Sequence, residues 1–69
     1  MTLEQRIAKV ADRALTHSDP LDDYNPDLSA KLYRACYEAT ELLRQAAVPG
    51  VVPTYELRAQ ADKIIAEVE

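Results

Sequence analysis

The sequence predicts an all-α fold, a small three-helix bundle. Three observations predict it. Apolar residues recur at helical spacing in three separate intervals. Two proline-bearing stretches, Pro20 to Pro26 and Pro49 to Pro53, separate those intervals. No interval alternates apolar and polar residues with period two, and Val51-Val52 is too short and too hemmed by proline to form a strand. The expected arrangement is a helical hairpin of the second and third helices with a docked N-terminal helix. It forms one helical domain over residues 1–69.

The first helix is expected over about 3–17. Thr2 is a good N-cap, and Gln5 three residues on completes a capping-box pattern. Leu3, Ile7, Val10 and Ala14 lie on one face, and Ala11 and Leu15 widen it. Arg6, Lys9, Asp12, Arg13 and Thr16 take the other side.

The second helix is expected over about 27–47. Asn25 can cap it, Pro26 suits the first turn, and Asp27 places negative charge at the positive end of the helix dipole. Leu28, Ala35 and Leu42 recur every seven residues, as do Leu32, Ala39 and Ala46. This is a coiled-coil type of seam, and its alanines allow a partner helix to approach closely. With successive residues about 100° apart, Tyr33, Tyr37 and Arg44 fall at roughly 140°, 180° and 160° from Leu28, nearly opposite the seam. Two explanations of this second face are open. In one, the tyrosines rim a core that is packed from both sides. In the other, the face meets a second subunit or another protein, where Tyr and Arg are favoured.

The third helix is expected over about 54–68. Leu57, Ala61, Ile64 and Val68 make its stripe and Ile65 broadens it. Arg58 with Asp62, and Lys63 with Glu67, have the i, i+4 spacing of opposite-charge pairs.

Composition bounds what such a fold can do. The chain has 69 residues, no Phe or Trp, four Tyr and one Cys, so its core is aliphatic and has no internal disulfide. A core this small is marginal by itself, which gives oligomerisation an independent advantage. The formal net charge is −4. All of the excess sits in the linker Ser18–Asp27, which carries four of the twelve acids and none of the eight bases. Asp19, Asp22 and Asp23 therefore form an acidic docking candidate for a basic partner. No basic leader with an apolar run is visible at the start, and no apolar stretch approaches a membrane span. Those features, with a single thiol, suggest a cytoplasmic protein that does not engage membranes.

Sites of chemistry are hard to find. Asp23, Asn25 and Asp27 mimic the opening of an EF-hand loop. The match fails at Leu28, where Gly is needed, and at Arg34, where Glu is needed. His17 beside the acidic linker is better read as a cation at a helix C-terminus than as a metal ligand. Cys36 flanks an apolar seam and acts as a small hydrophobe, with no base assigned to activate it. A single glycine in the chain removes most phosphate-cradling loops, and no cofactor motif is present. The linker Val48-Pro49-Gly50-Val51-Val52-Pro53 is wholly apolar. Val51 and Val52 within it are candidates for an exposed recognition tip.

The expected function is accordingly non-enzymatic. The chain reads as a small, self-associating helical interaction protein that binds or inhibits another protein, in the manner of compact regulators from phage and mobile elements. Its candidate contact residues are Tyr33, Tyr37, Arg44, Val51, Val52, Asp19, Asp22 and Asp23. A second reading is a helix-turn-helix DNA-binding regulator using Thr54, Tyr55, Arg58 and Gln60. The long second turn and the acidic third helix weigh against it. A third is a binder of anionic ring-bearing ligands, with Tyr33, Tyr37 and Arg44 at a subunit interface.

Overall fold

The computed structural model describes residues 1–50 and 53–69 and contains three helices: α1 (Leu3–Ser18), α2 (Pro26–Ala46) and α3 (Thr54–Val68). The expected bounds hold to within one residue at every end. Local chemistry explains the starts. The Gln5 amide donates to Thr2 Oγ1 at 3.1 Å, while the Thr2 amide donates to Gln5 Oε1 at 2.8 Å, closing the capping box. Asn25 Oδ1 accepts from the Leu28 amide at 3.2 Å, and Pro26 follows as the first helical residue. α3 begins after Pro53 without a side-chain cap. Gly50 sits at φ 78°, a left-handed conformation that the chain's sole glycine adopts at little cost.

The helices form a three-helix bundle with α2 at its centre, packed by both of its neighbours. Ser29 near the start of α2 meets Ala14 late in α1, and Cys36 meets Ile7, so α1 and α2 run antiparallel. Glu4 pairs with Arg58, Arg6 with Asp62, and Arg13 with the carbonyl of Val68, so α1 and α3 run parallel. The molecule is elongated, 46 × 20 × 16 Å.

Val10, Ala14, Leu32, Cys36, Ala39, Ala61 and Ile65 form one buried cluster, with Ala35 and Leu57 also buried. The leucine-alanine seam of α2 therefore packs inside, as its heptad spacing predicts. Leu32 and Ile65 are wholly buried, and each removes enough apolar surface from water to contribute about 1.5–3 kcal/mol. Four of the buried residues are alanines, which bring the helix axes close together. Ser29 is the buried polar residue among those described, and its hydroxyl donates to the Ala14 carbonyl at 2.8 Å.

Two sequence expectations need correction. Leu15 does not widen the core stripe of α1: it is 57% exposed, because α2 and α3 cover the faces on Val10 and Ala14 and leave this flank open. The opposite-charge residues of α3 do not pair along their own helix. Arg58 reaches Glu4 at 2.9 Å, and Asp62 accepts from Arg6. Both residues instead take partners across the α1–α3 seam, where the long arginine side chains span the gap between the helices. Arg6 is the hub of this seam. It donates through Nε to Glu69 at 2.8 Å, through Nη2 to the same carboxylate, and through Nη1 to Asp62. The last turn of α3 carries no basic residue of its own. Arg6 and Arg13 supply positive charge there from α1, at the negative end of the α3 dipole.

Candidate functional site

Helical geometry places Ala30, Tyr33, Tyr37, Thr40 and Arg44 on one outward stripe of α2, opposite the buried residues Leu32, Ala35 and Ala39. Tyr33 is 42% exposed and Tyr37 69%. The Arg44 side chain is 75% exposed and donates to Glu41 one turn back, at 3.1 Å. α2 is packed by α1 and α3, Tyr33 is more than half covered, and Tyr37 is a surface residue.

The acidic linker is more ordered than a charged connector needs to be. Asp19 caps the end of α1 with its backbone amide on the Thr16 carbonyl at 3.3 Å, and its carboxylate accepts from the Leu21 amide at 2.9 Å. The His17 ring Nδ1 lies 2.7 Å from the Asp23 carbonyl, and the Asn25 amide donates to the His17 carbonyl at 2.8 Å. His17 thus sits in the last turn of α1, as its position predicts, and also staples the loop. Asp22 and Asp23 are exposed, and between Asp19 and Asp22 stands Leu21, 93% exposed. Asp19 is therefore mainly a turn-former, while Asp22 and Asp23 remain open to a partner. Charge counting passes over Leu21. A leucine directly after proline inside a charged linker is the signal that marks it.

The candidate residues do not converge on a single site. The loop lies at the N-terminal end of α2, and Arg44 lies near its C-terminal end, about 28 Å away along the axis. Val51 and Val52 lie outside the described residues. Beside them Val48 is 50% exposed. The helix-turn-helix residues Thr54, Tyr55, Arg58 and Gln60 are all exposed, but Arg58 is engaged by Glu4.

The reactive groups are poorly placed for catalysis. Cys36 is buried, contacts the Ile7 carbonyl at 3.5 Å, and burial pushes its thiol above the ordinary value. His17 is ten residues beyond Ile7 along α1, about 15 Å away. Two shallow clefts flank α3. One, of 160 Å³, lies among Arg6, Lys9, Arg13 and Glu69, and the other, of 250 Å³, lies between Lys31, Arg34 and Ile64. Both are below the usual size of a small-molecule site, about 300–1,000 Å³, and neither includes Tyr33, Tyr37 or Arg44. No group of residues suited to hold a metal ion occurs among the described residues. No described helix is long and apolar enough to cross a membrane. The chain matches no protein-family model, no curated protein and no solved structure.

Proposed function

We propose that this chain is a small non-enzymatic interaction protein that self-associates and binds or inhibits another protein, with the outer face of α2 as its principal contact surface. One observation carries the reading. Two tyrosines and an arginine stand exposed on a stripe that the fold does not use, opposite the stripe that forms the core. Core formation places no demand on these positions, and solvent exposure favours short polar residues there over tyrosine. Tyr and Arg are the residues that concentrate binding energy at interface centres. The exposed pair Leu21 and Asp22 at the end of the bundle supports a second contact point for a basic partner.

The experiment is the triple variant Tyr33→Ala, Tyr37→Ala, Arg44→Ala. It keeps the helicity and thermal midpoint of the parent, because none of the three packs in the core. Its self-association in sedimentation and its retention of a partner both fall away. A triple variant that associates and binds like the parent overturns the assignment of this face.

A further inference from the structure

We infer that the occupant of the outer α2 face is a second copy of this chain, docked antiparallel across a two-fold axis so that Arg34 of each copy meets Glu41 of the other. This rests on the reading of that face as a contact surface and names what covers it. Ala30, Tyr33, Tyr37, Thr40, Arg44 and Ala47 follow one another at intervals of three, four, three, four and three residues. That is the spacing of a second coiled-coil seam, running along the side of α2 opposite the first. All six are exposed.

The two edges of this seam differ. Along one edge, Ser29 and Cys36 are closed off by α1 through their contacts with the Ala14 and Ile7 carbonyls. Along the other edge stand Asp27, Arg34 and Glu41, seven residues apart and alternating in sign. That alternation decides orientation. A parallel, in-register pair turns this charged edge toward the partner's opposite edge, the one closed off by α1, so Arg34 and Glu41 find no counter-charge there and Arg44 is set against Arg44. An antiparallel pair centred between Tyr37 and Thr40 sets Arg34 beside Glu41 twice over, with opposite charges. The same register brings Tyr33 against Arg44, a cation over an aromatic face, and Tyr37 against Thr40. Ala30 then meets Ala47, which lets the ends of the helices close together. Each layer pairs unlike partners, as self-complementarity about a two-fold requires.

The α1 side agrees. Around α1, Arg6 and Arg13 mark the flank that meets α3, and Leu15 projects from the opposite flank, next to Ala14, whose carbonyl meets Ser29 near the start of α2. Leu15 is 57% exposed. Bringing two outer α2 faces together makes an α2 pair flanked in each copy by α1 along the Ser29 and Cys36 edge and by α3 along the Arg34 edge.

Sedimentation equilibrium of the full chain tests this with Arg34→Glu, Glu41→Arg and the double variant, helicity being checked for each. Residues 34 and 41 are two turns apart in one chain, too far to pair with each other there. The parent shows a concentration-dependent dimer. Each single reversal weakens it by about tenfold in Kd, because the two-fold repeats the charge clash on both sides of the axis. The double reversal recovers most of that loss, stopping short of the parent Kd because Arg44 loses its Glu41 partner. A double variant no tighter than the singles overturns the antiparallel register. A parent that stays monomeric at all concentrations overturns the second copy as occupant. In that case a partner whose binding is abolished by Tyr37→Glu preserves the outer face as a contact surface, and a partner indifferent to Tyr37→Glu removes that reading as well.

Discussion

The two faces of α2 are built from the same heptad spacing and do opposite things. The inner face carries Leu32, Ala35 and Ala39, and the outer carries Tyr33, Tyr37 and Arg44. Small residues on the inner face allow two neighbouring helices to approach closely, so the seam closes within one chain. Large amphipathic residues on the outer face hold any neighbour at a greater distance and can be satisfied by water in its absence. One face therefore specifies the fold and the other remains available. A helix can encode both because its two seams are about half a circumference apart and hardly share a side chain.

The comparison breaks most sharply at Leu32. Leu32→Ala opens a cavity at the centre of the bundle and costs about 2–5 kcal/mol, comparable to the whole stability of so small a domain. Urea denaturation followed by circular dichroism checks this, and a loss below about 1 kcal/mol removes Leu32 as the anchor of the inner face. Ala39→Leu is the converse test. It forces added volume between closely packed helices and costs about 1–3 kcal/mol. An unchanged midpoint there shows that the alanine seam is loosely packed.

The α1–α3 seam comes next. Arg6→Ala removes the hub joining Asp62 and Glu69. It lowers the thermal midpoint in dilute buffer by less than Leu32→Ala does, and the difference from the parent shrinks in high salt. A salt-independent loss assigns the effect to the packing of the Arg6 stem instead. The same carboxylate logic fixes a pH direction. Glu4 is held below the ordinary carboxylate value by a hydrogen bond to its own backbone amide and then by Arg58. Its contribution is present above the ordinary carboxylate pKa and is lost as pH falls through the lowered folded value. Glu4→Gln should flatten that part of the acid limb in a pH series of thermal midpoints.

The smallest effect on stability is expected outside. Tyr37→Ala leaves the unfolding midpoint of the monomer within about 0.5 kcal/mol of the parent, since its side chain packs against nothing in the core. A larger loss at a concentration where the chain is monomeric shows that the outer face contributes to the fold. Asp22→Asn with Asp23→Asn likewise spares the fold while weakening the salt dependence of binding to a basic partner. Asp19 is left intact in that test because its carboxylate holds the Leu21 amide.

Much of this molecule is written in local pattern. Caps at Thr2 and Asn25, prolines between the helices and apolar periodicity are enough to place all three helices and the inner seam of α2. These signals act within a few residues, so no knowledge of neighbours is required. The acidic excess in Ser18–Asp27 and the odd second face of α2 are legible for the same reason. Tertiary structure alone decided which face was covered. Whether Tyr33 and Tyr37 rimmed a core or faced water depended on where α1 and α3 docked, a balance of burial over the whole bundle. It also decided that Arg58 pairs with Glu4 and Arg6 with Asp62 and Glu69, because side chains of opposite charge take the nearest partner in space, and spacing along one helix records only the partners on that helix.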